Sequence, residues 1–352
     1  MLIYYANLIT TTVLNYSSKL IENKYVKRIL QIIAIAIPSI IAGIRYNVGT
    51  DFNSYVEWFN MFLTLPLDFS KLNIGYNILI KIIQLFTSNP QLLFLVEAII
   101  INTLIFLFIK DNTSRYELGY FLFFALYFYY SSLNITRQWI AIAISLYSLK
   151  YAFDAKIWKF LATVLVGMSF HITSVIMIPV YFLFKIKLKK KSIIILTICI
   201  LTFIIVMNTF GVYIATKLEL PQKYIDYLKF DSSLDSGGYA HLIFTAVTLF
   251  AIWKNYSKYI EKNEYGEHQI KVLIITFIVT ALSINSMIFN RLQLYFIPML
   301  MVCIPNIVNT ISERKKQKAV IVAIILIGTI YMTRSLLING GEPLPYTTIF
   351  CK

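Results

Sequence analysis

Charge is scarce in this chain. Only 14% of its 352 residues are charged, against about 25% in an ordinary soluble protein. Apolar residues reach 58%, where ~45–50% is usual, and mean hydropathy is +0.71. A water-soluble domain cannot hide that much apolar surface, so a soluble enzyme is excluded. The other shortages are chemical. There are three cysteines, Cys199, Cys303 and Cys351, with no CxxC pair; Cys199 and Cys303 sit inside apolar runs, as small core residues do. His171, His241 and His268 have no metal-ligand spacing. No GxGxxG, P-loop or HExxH occurs. The N-terminus lacks a basic n-region and a small-residue cleavage site, so it does not read as a cleaved signal. Low-complexity segments and matching broken helices in two halves, the mark of many transporters, are also missing.

What is present is a succession of apolar runs. Spans are expected near 2–17, 29–44, 74–89, 90–109, 118–134, 137–153, 157–170, 171–184, 192–216, 239–255, 271–289, 291–310 and 319–338. Only helices or closed barrels satisfy the backbone in lipid. These runs are too long and too unalternating for barrel strands. The expectation is an all-α polytopic integral membrane protein with about 11–13 transmembrane or re-entrant helices, forming a single multispan membrane domain over 1–352. Lys and Arg outnumber Asp and Glu 32 to 17. In a soluble chain that excess would point to nucleic acid. Here the cations cluster in short loops, where they orient the chain, and no nucleic-acid partner is expected. The clusters at Lys19–Arg28, Lys185–Lys191, Lys254–Lys271 and Arg314–Lys318 belong in the cytoplasm. That makes 45–73 and 217–238 extracytoplasmic loops. Between 70 and 185 an odd number of crossings is then required, so one of 74–89 and 90–109 should not cross.

Some polar residues stand where apolar ones are expected. The segment Arg45-Tyr46-Asn47-Val48-Gly49-Thr50-Asp51-Phe52-Asn53-Ser54-Tyr55 joins a cation, a glycine turn, an acid and aromatics at a span end. It reads either as an interface anchor or as a site. Arg137, in Asn134-Ile135-Thr136-Arg137-Gln138, lies between two apolar runs. An arginine at bilayer depth costs about 2.5–3.5 kcal/mol and usually faces a protein interior or an aqueous cavity; a tight turn with a snorkelling arginine is the competing reading. His171 lies deep in an apolar stretch, as a hydrogen-bonded structural residue or a proton carrier. Asn290-Arg291 stands at a span boundary. In the loop 217–238, Glu219, Asp226, Asp231 and Asp235 with Tyr224, Tyr227 and Tyr239 form either a solvated loop or a sugar-binding surface.

Taken in order, Arg45 to Tyr55, Gly75-Tyr76 with Leu79, Arg137-Gln138, Ser169-Phe170-His171 with Thr173 and Pro179, Asn290-Arg291-Leu292 with Tyr295-Phe296, and Pro345-Tyr346 resemble the EpsG/Wzy-like family. These are membrane polymerases of bacterial exopolysaccharide, capsule or O-antigen repeat units. Family members often carry an acid shortly before the Gly-[YF] pair, where this chain has Asn73-Ile74. The resemblance implies glycosyl transfer between polyprenyl-diphosphate-linked (undecaprenyl diphosphate) oligosaccharides at the outer face of the bacterial cytoplasmic membrane. It implies Arg45, Arg137 and Arg291 as holders of the diphosphate. His171, then Asp51, is implied as the group that takes the acceptor hydroxyl's proton. Tyr55, Gln138, Asn290 and Tyr295 are implied as glycan contacts. No cofactor is needed, because the donor is already activated, and with no D-x-D signature metal independence is expected. The partners implied are the lipid-linked oligosaccharide, membrane lipids, and a chain-length regulator and flippase of the same pathway. A flippase or transporter of a lipid-linked glycan, and a surface-glycan ligase or acyltransferase, are the competing classes.

The orientation is open to direct test. In a cysteine-free background, Asn53→Cys and Ser232→Cys should react with a membrane-impermeant thiol reagent added from outside, and Lys189→Cys should not. Labelling at 189 alone would invert the topology.

Overall fold

The computed structural model describes residues 1–66, 73–186, 213, 216, 217, 237–284 and 286–350. Cys199, Cys351, Glu219, Asp226, Asp231 and Asp235 lie outside the described residues, as does nearly all of the expected span 192–216 and of the loop 217–238. Every regular element among the described residues is helical, and five stretches are long and apolar enough to cross a bilayer: Lys24–Gly43, Gln91–Asn112, Gly266–Ser283, Met287–Thr310 and Arg314–Ile338. The protein is an all-α polytopic membrane protein, as its composition requires.

The chain forms two compact units, Met1–Val175 with Glu313–Lys352, and Ile176–Ser312. The first contains α1 (Leu2–Leu20), α2 (Lys24–Gly43), α3 (Phe52–Thr64), α4 (Ile74–Gln84), α5 (Gln91–Asn112), α6 (Tyr116–Ala125), α7 (Phe128–Ser132), α8 (Thr136–Phe153) and α9 (Ile157–Phe170). At its centre α6 is buried at every position and α8 at nearly every one. Helices hydrophobic all round belong in such interiors. The unit's first helix, α1, instead buries a polar row, Asn7, Thr11, Asn15 and Ser18, at helical spacing. Ser18 meets the Tyr116 hydroxyl at 2.9 Å. Side chains of this kind join helices where lipid supplies no hydrophobic drive.

Charges mark one end of this unit. Lys19 pairs with Glu117 at 2.8 Å, Lys110 donates to Gln31 at 3.0 Å, and Lys150 pairs with Asp111 at 3.6 Å. The turns carrying Arg45, Asn134 and the start of the C-terminal tail are tied together elsewhere, as described below. With 11 residues, α4 extends only about 16 Å at ~1.5 Å per residue, short of the ~30 Å hydrocarbon core. The helix within the expected segment 74–89 is thus shorter than a straight crossing needs, as is the 14-residue α9. The expected span 118–134 is also interrupted. Tyr127 adopts a left-handed conformation, φ 72°, and its hydroxyl donates to the Gly340 carbonyl at 3.1 Å.

The second unit holds α10 (Met177–Phe184), α11 (Gly237–Lys254), α12 (Tyr256–Lys262), α13 (Gly266–Ser283), α14 (Met287–Gln293) and α15 (Leu300–Thr310). A buried polar layer joins three of them: the Tyr259 hydroxyl donates to Gln269 Oε1 at 2.7 Å, and Asn306 Nδ2 donates to the same oxygen at 3.0 Å. Cys303 is buried in α15.

The last helix, α16 (Arg314–Ile338), returns to the first unit, and the tail after it folds over the loop that follows α2. Tyr46 N–H donates to Thr347 O, Gly49 N–H to Glu342 O, Thr50 N–H to Gly341 O and Ile349 N–H to Ile44 O, all at 3.0–3.3 Å. Tyr346 donates to Ile41 O at 2.7 Å and Tyr4 to Pro343 O at 2.8 Å. Burial pushes the Tyr346 hydroxyl up to about 12, against the opposing pull of Arg45. Each such bond stabilises by roughly 1 kcal/mol net. A chain ending after Gly340 should therefore show amide hydrogen exchange over 44–51 faster by at least tenfold, with α8 unaffected. Unchanged exchange would show that the tail does not hold the loop.

Candidate functional site

The Arg45–Tyr55 motif folds around a turn that only its glycine suits. Gly49 has φ +95°, a region that side chains with a Cβ rarely enter. Past it, the Asp51 N–H donates to Asn134 Oδ1 at 2.8 Å, and Thr50 Oγ1 bonds both atoms of the same amide. Asn134 thus staples the start of α3 to the turn before α8, and with it Asp51 to the neighbourhood of Arg137. The Asp51 side chain makes no cap bond to α3 and is half-exposed.

Arg45 is enclosed. It is 1% exposed, and its guanidinium carbon lies 4.6 Å from the Phe94 ring centre, which stacks on Phe52 at 4.7 Å. Gln91 Nε2 donates to the Arg45 carbonyl at 2.8 Å and also to that of Gly43. Burial pushes the Arg45 pKa down; Glu97 and nearby tyrosines oppose that. Its Nε and Nη2 have no hydrogen-bond partner among the described residues, and it lines a small cavity with Phe94, Asn102, Tyr129, Ser132 and Thr136.

Arg137 is half-buried at the start of α8. Its guanidinium carbon lies 4.6 Å from the Trp58 ring centre and 6.0 Å from that of Tyr76, and its backbone N–H donates to the Tyr55 hydroxyl at 3.3 Å. Tyr76 is fully buried, edge-on to Trp58 at 5.8 Å and tilted against Tyr55 at 6.0 Å. Its hydroxyl donates to Glu97 Oε1 at 2.6 Å. Gln138 is buried behind them.

The Gly-Tyr pair also reaches the histidine motif. A Cβ on Gly75 would stand 2.2 Å from Ser169 Oγ and 3.1 Å from the Ser169 carbonyl carbon. Only glycine lets α4 lie against the end of α9. There the chain reverses: His171 is extended and half-buried, and its Nδ1 meets Thr173 Oγ1 at 2.6 Å. That bond orients the imidazole, which explains the threonine two positions on. Arg45 to Tyr55, Gly75-Tyr76, Arg137-Gln138 and Ser169-Phe170-His171 are thus linked by direct contacts within one unit. Asn290, Arg291 and Tyr295 belong to the other. There Arg291 is exposed on α14, Asn290 Oδ1 accepts from Gln293 Nε2 at 2.5 Å, and Tyr295 is fully buried.

Glu97, Trp58 and Asn134 were not among the residues the sequence singled out as site residues. For Glu97 a signal existed: it is the lone acid in the apolar run 90–109, and an intramembrane carboxylate marks function by default. At the Gly-Tyr pair Asn73 is left-handed, φ 70°, and the carboxylate comes from α5. Trp58 had no such signal, because its spacing is that of any amphipathic helix.

A family model described as EpsG family matches residues 28–348, which includes every motif above except the last residues of the tail. No curated protein and no solved structure matches the chain. Overpacking a tight helix contact costs about 1–3 kcal/mol. Gly75→Ala should therefore lower the apparent Tm of the purified protein, and Ser169→Gly in the same chain should recover part of the loss. A Gly75→Ala protein as stable as the parent would refute the contact.

Proposed function

We propose that this chain, which belongs to the EpsG family of Wzy-like polysaccharide polymerases, joins lipid-diphosphate-linked oligosaccharide repeat units by glycosyl transfer at the outer face of the bacterial cytoplasmic membrane. The observation that carries the reading is the contact-linked assembly of Arg137, Trp58, Tyr55, Tyr76 and the Ser169–His171 turn. Such an assembly puts a cation and aromatic side chains in the same unit as an oriented imidazole, a set suited to holding a diphosphate and a sugar and to taking a hydroxyl proton.

In the proposed step the acceptor hydroxyl attacks the anomeric carbon of the donor. The hydroxyl proton passes to His171, with Asp51 as the second candidate, and the bond's electron pair leaves on the lipid diphosphate. Negative charge grows on that diphosphate, and a guanidinium offers several donors to it in a fixed plane. Arg137, half-exposed, is assigned the direct contact. Arg45 supplies buried positive charge behind it, and Arg291 is assigned as a third cation. Tyr55, Gln138, Asn290 and Tyr295 are retained as glycan-site residues: Tyr55 and Gln138 shape the wall around Arg137, and Asn290 and Tyr295 shape the Arg291 segment. The donor is preactivated, so the chemistry proposed calls on no cofactor or metal.

Purified protein in vesicles with lipid-linked repeat units should build a glycan ladder; a flippase would change only the sidedness of the substrate. General-base catalysis is worth ~10²–10⁴-fold, so His171→Gln should shorten the ladder by a rate loss of that order while the protein still inserts. Arg137→Lys should fail to restore activity, since a point charge cannot reproduce a planar fork. Normal ladders from His171→Gln would transfer the role to Asp51, and normal ladders from Arg137→Lys would remove Arg137 from the diphosphate.

A further inference from the structure

We propose that Glu97 is a positioning residue: through Tyr76 it fixes the aromatic wall on which Arg137 lies, and so sets the guanidinium that meets the substrate's diphosphate. The identity of that anion rests on the glycosyl-transfer reading; the positioning does not.

Glu97 sits in the second turn of α5, fully buried. A carboxylate there is retained only if something holds it. One oxygen accepts from the Tyr76 hydroxyl at 2.6 Å, and the other has no hydrogen-bond partner among the described residues. Arg45 is the opposite charge within electrostatic range, yet among the described residues no ion pair joins the two. The direct outlet of Glu97 is therefore Tyr76. That 2.6 Å bond fixes the position of the Tyr76 hydroxyl, and with it the direction in which the ring points from α4.

Pinning that ring matters because of what leans on it. Trp58 meets it edge-on at 5.8 Å and Tyr55 at 6.0 Å. Arg137 lies over Trp58, within 6.0 Å of Tyr76, and donates its backbone N–H to Tyr55. Two of its guanidinium nitrogens, Nε and Nη1, are buried without a hydrogen-bond partner among the described residues, and the aromatic wall is what they lie against. The path from carboxylate to guanidinium runs α5, α4, α3, α8, each step a contact between side chains that have little freedom to move.

The test uses the full chain in lipid nanodiscs. The near-UV circular dichroism of Trp58, taken as the parent spectrum minus that of Trp58→Phe, reports the Arg137–indole geometry. In Glu97→Gln and Tyr76→Phe that band should fall to the level seen in Arg137→Gln. Titration with inorganic pyrophosphate should show at least fivefold weaker binding in each, with the double variant no weaker than either one, because both act along one path. In an Arg137→Gln background the same substitutions should change nothing. A Trp58 band unmoved by Glu97→Gln and Tyr76→Phe but moved by Arg137→Gln overturns the proposal, and so do losses that add. If Glu97→Gln does not accumulate, Tyr76→Phe decides alone, since it removes one oxygen and keeps the ring. A parent protein that binds no pyrophosphate while its Trp58 band responds as expected would retire the diphosphate reading and leave the positioning standing.

Discussion

The burial of Arg45 is the constraint on which the first unit depends. A charge enclosed in protein is costly unless it is paired and hydrogen-bonded, and here the arginine is 1% exposed. The cost is met from several directions. Phe94 lies against the guanidinium, Gln91 binds the backbone carbonyl, Glu97 supplies the opposing field, and the tail 339–350 covers the loop from above. Each of these residues comes from a different part of the chain. An arginine so placed can be satisfied only in the finished fold, so it selects one packing of α2, α5 and the tail over others that would bury the same apolar area.

Asn134 does for the backbone what Phe94 does for the guanidinium. The polar groups of a turn need donors and acceptors where protein covers them. One amide satisfies Thr50 and Asp51 and borders the left-handed Gly341. Two turns that carry the site residues are thereby held at a fixed separation by a single side chain. The same economy appears in Tyr76, whose ring packs the wall and whose hydroxyl meets the acid of α5.

Much of this was legible beforehand. Composition alone excluded a soluble fold, and the order of short motifs pointed to the family that residues 28–348 match. Basic clusters led to the expectation that one of 74–89 and 90–109 does not cross; α4, within the first, has 11 residues and α5, within the second, has 22. Gly49 and Gly75 could be noticed in sequence, but their reasons could not. One needs a positive φ, and the other needs Ser169, which is 94 positions away in the numbering (169 − 75) and touches it in space.

What the sequence determined by itself was the solvent, the class of fold and the residues that are out of place in lipid, because hydropathy and the energy of a buried charge are properties of a residue and its near neighbours. Which of those residues meet was decided only by tertiary structure. Arg45 and Arg137 look alike in sequence, each a cation at a span boundary, yet one is sealed and the other half-open. Glu97 stood out in sequence as a lone acid in an apolar run, but its partner, Tyr76, is brought to it only by the packing of α4. Helix periodicity specifies which face a residue occupies; the packing of one helix on another, through contacts remote in sequence, specifies what that face touches, and the chemistry of a site resides in that second fact.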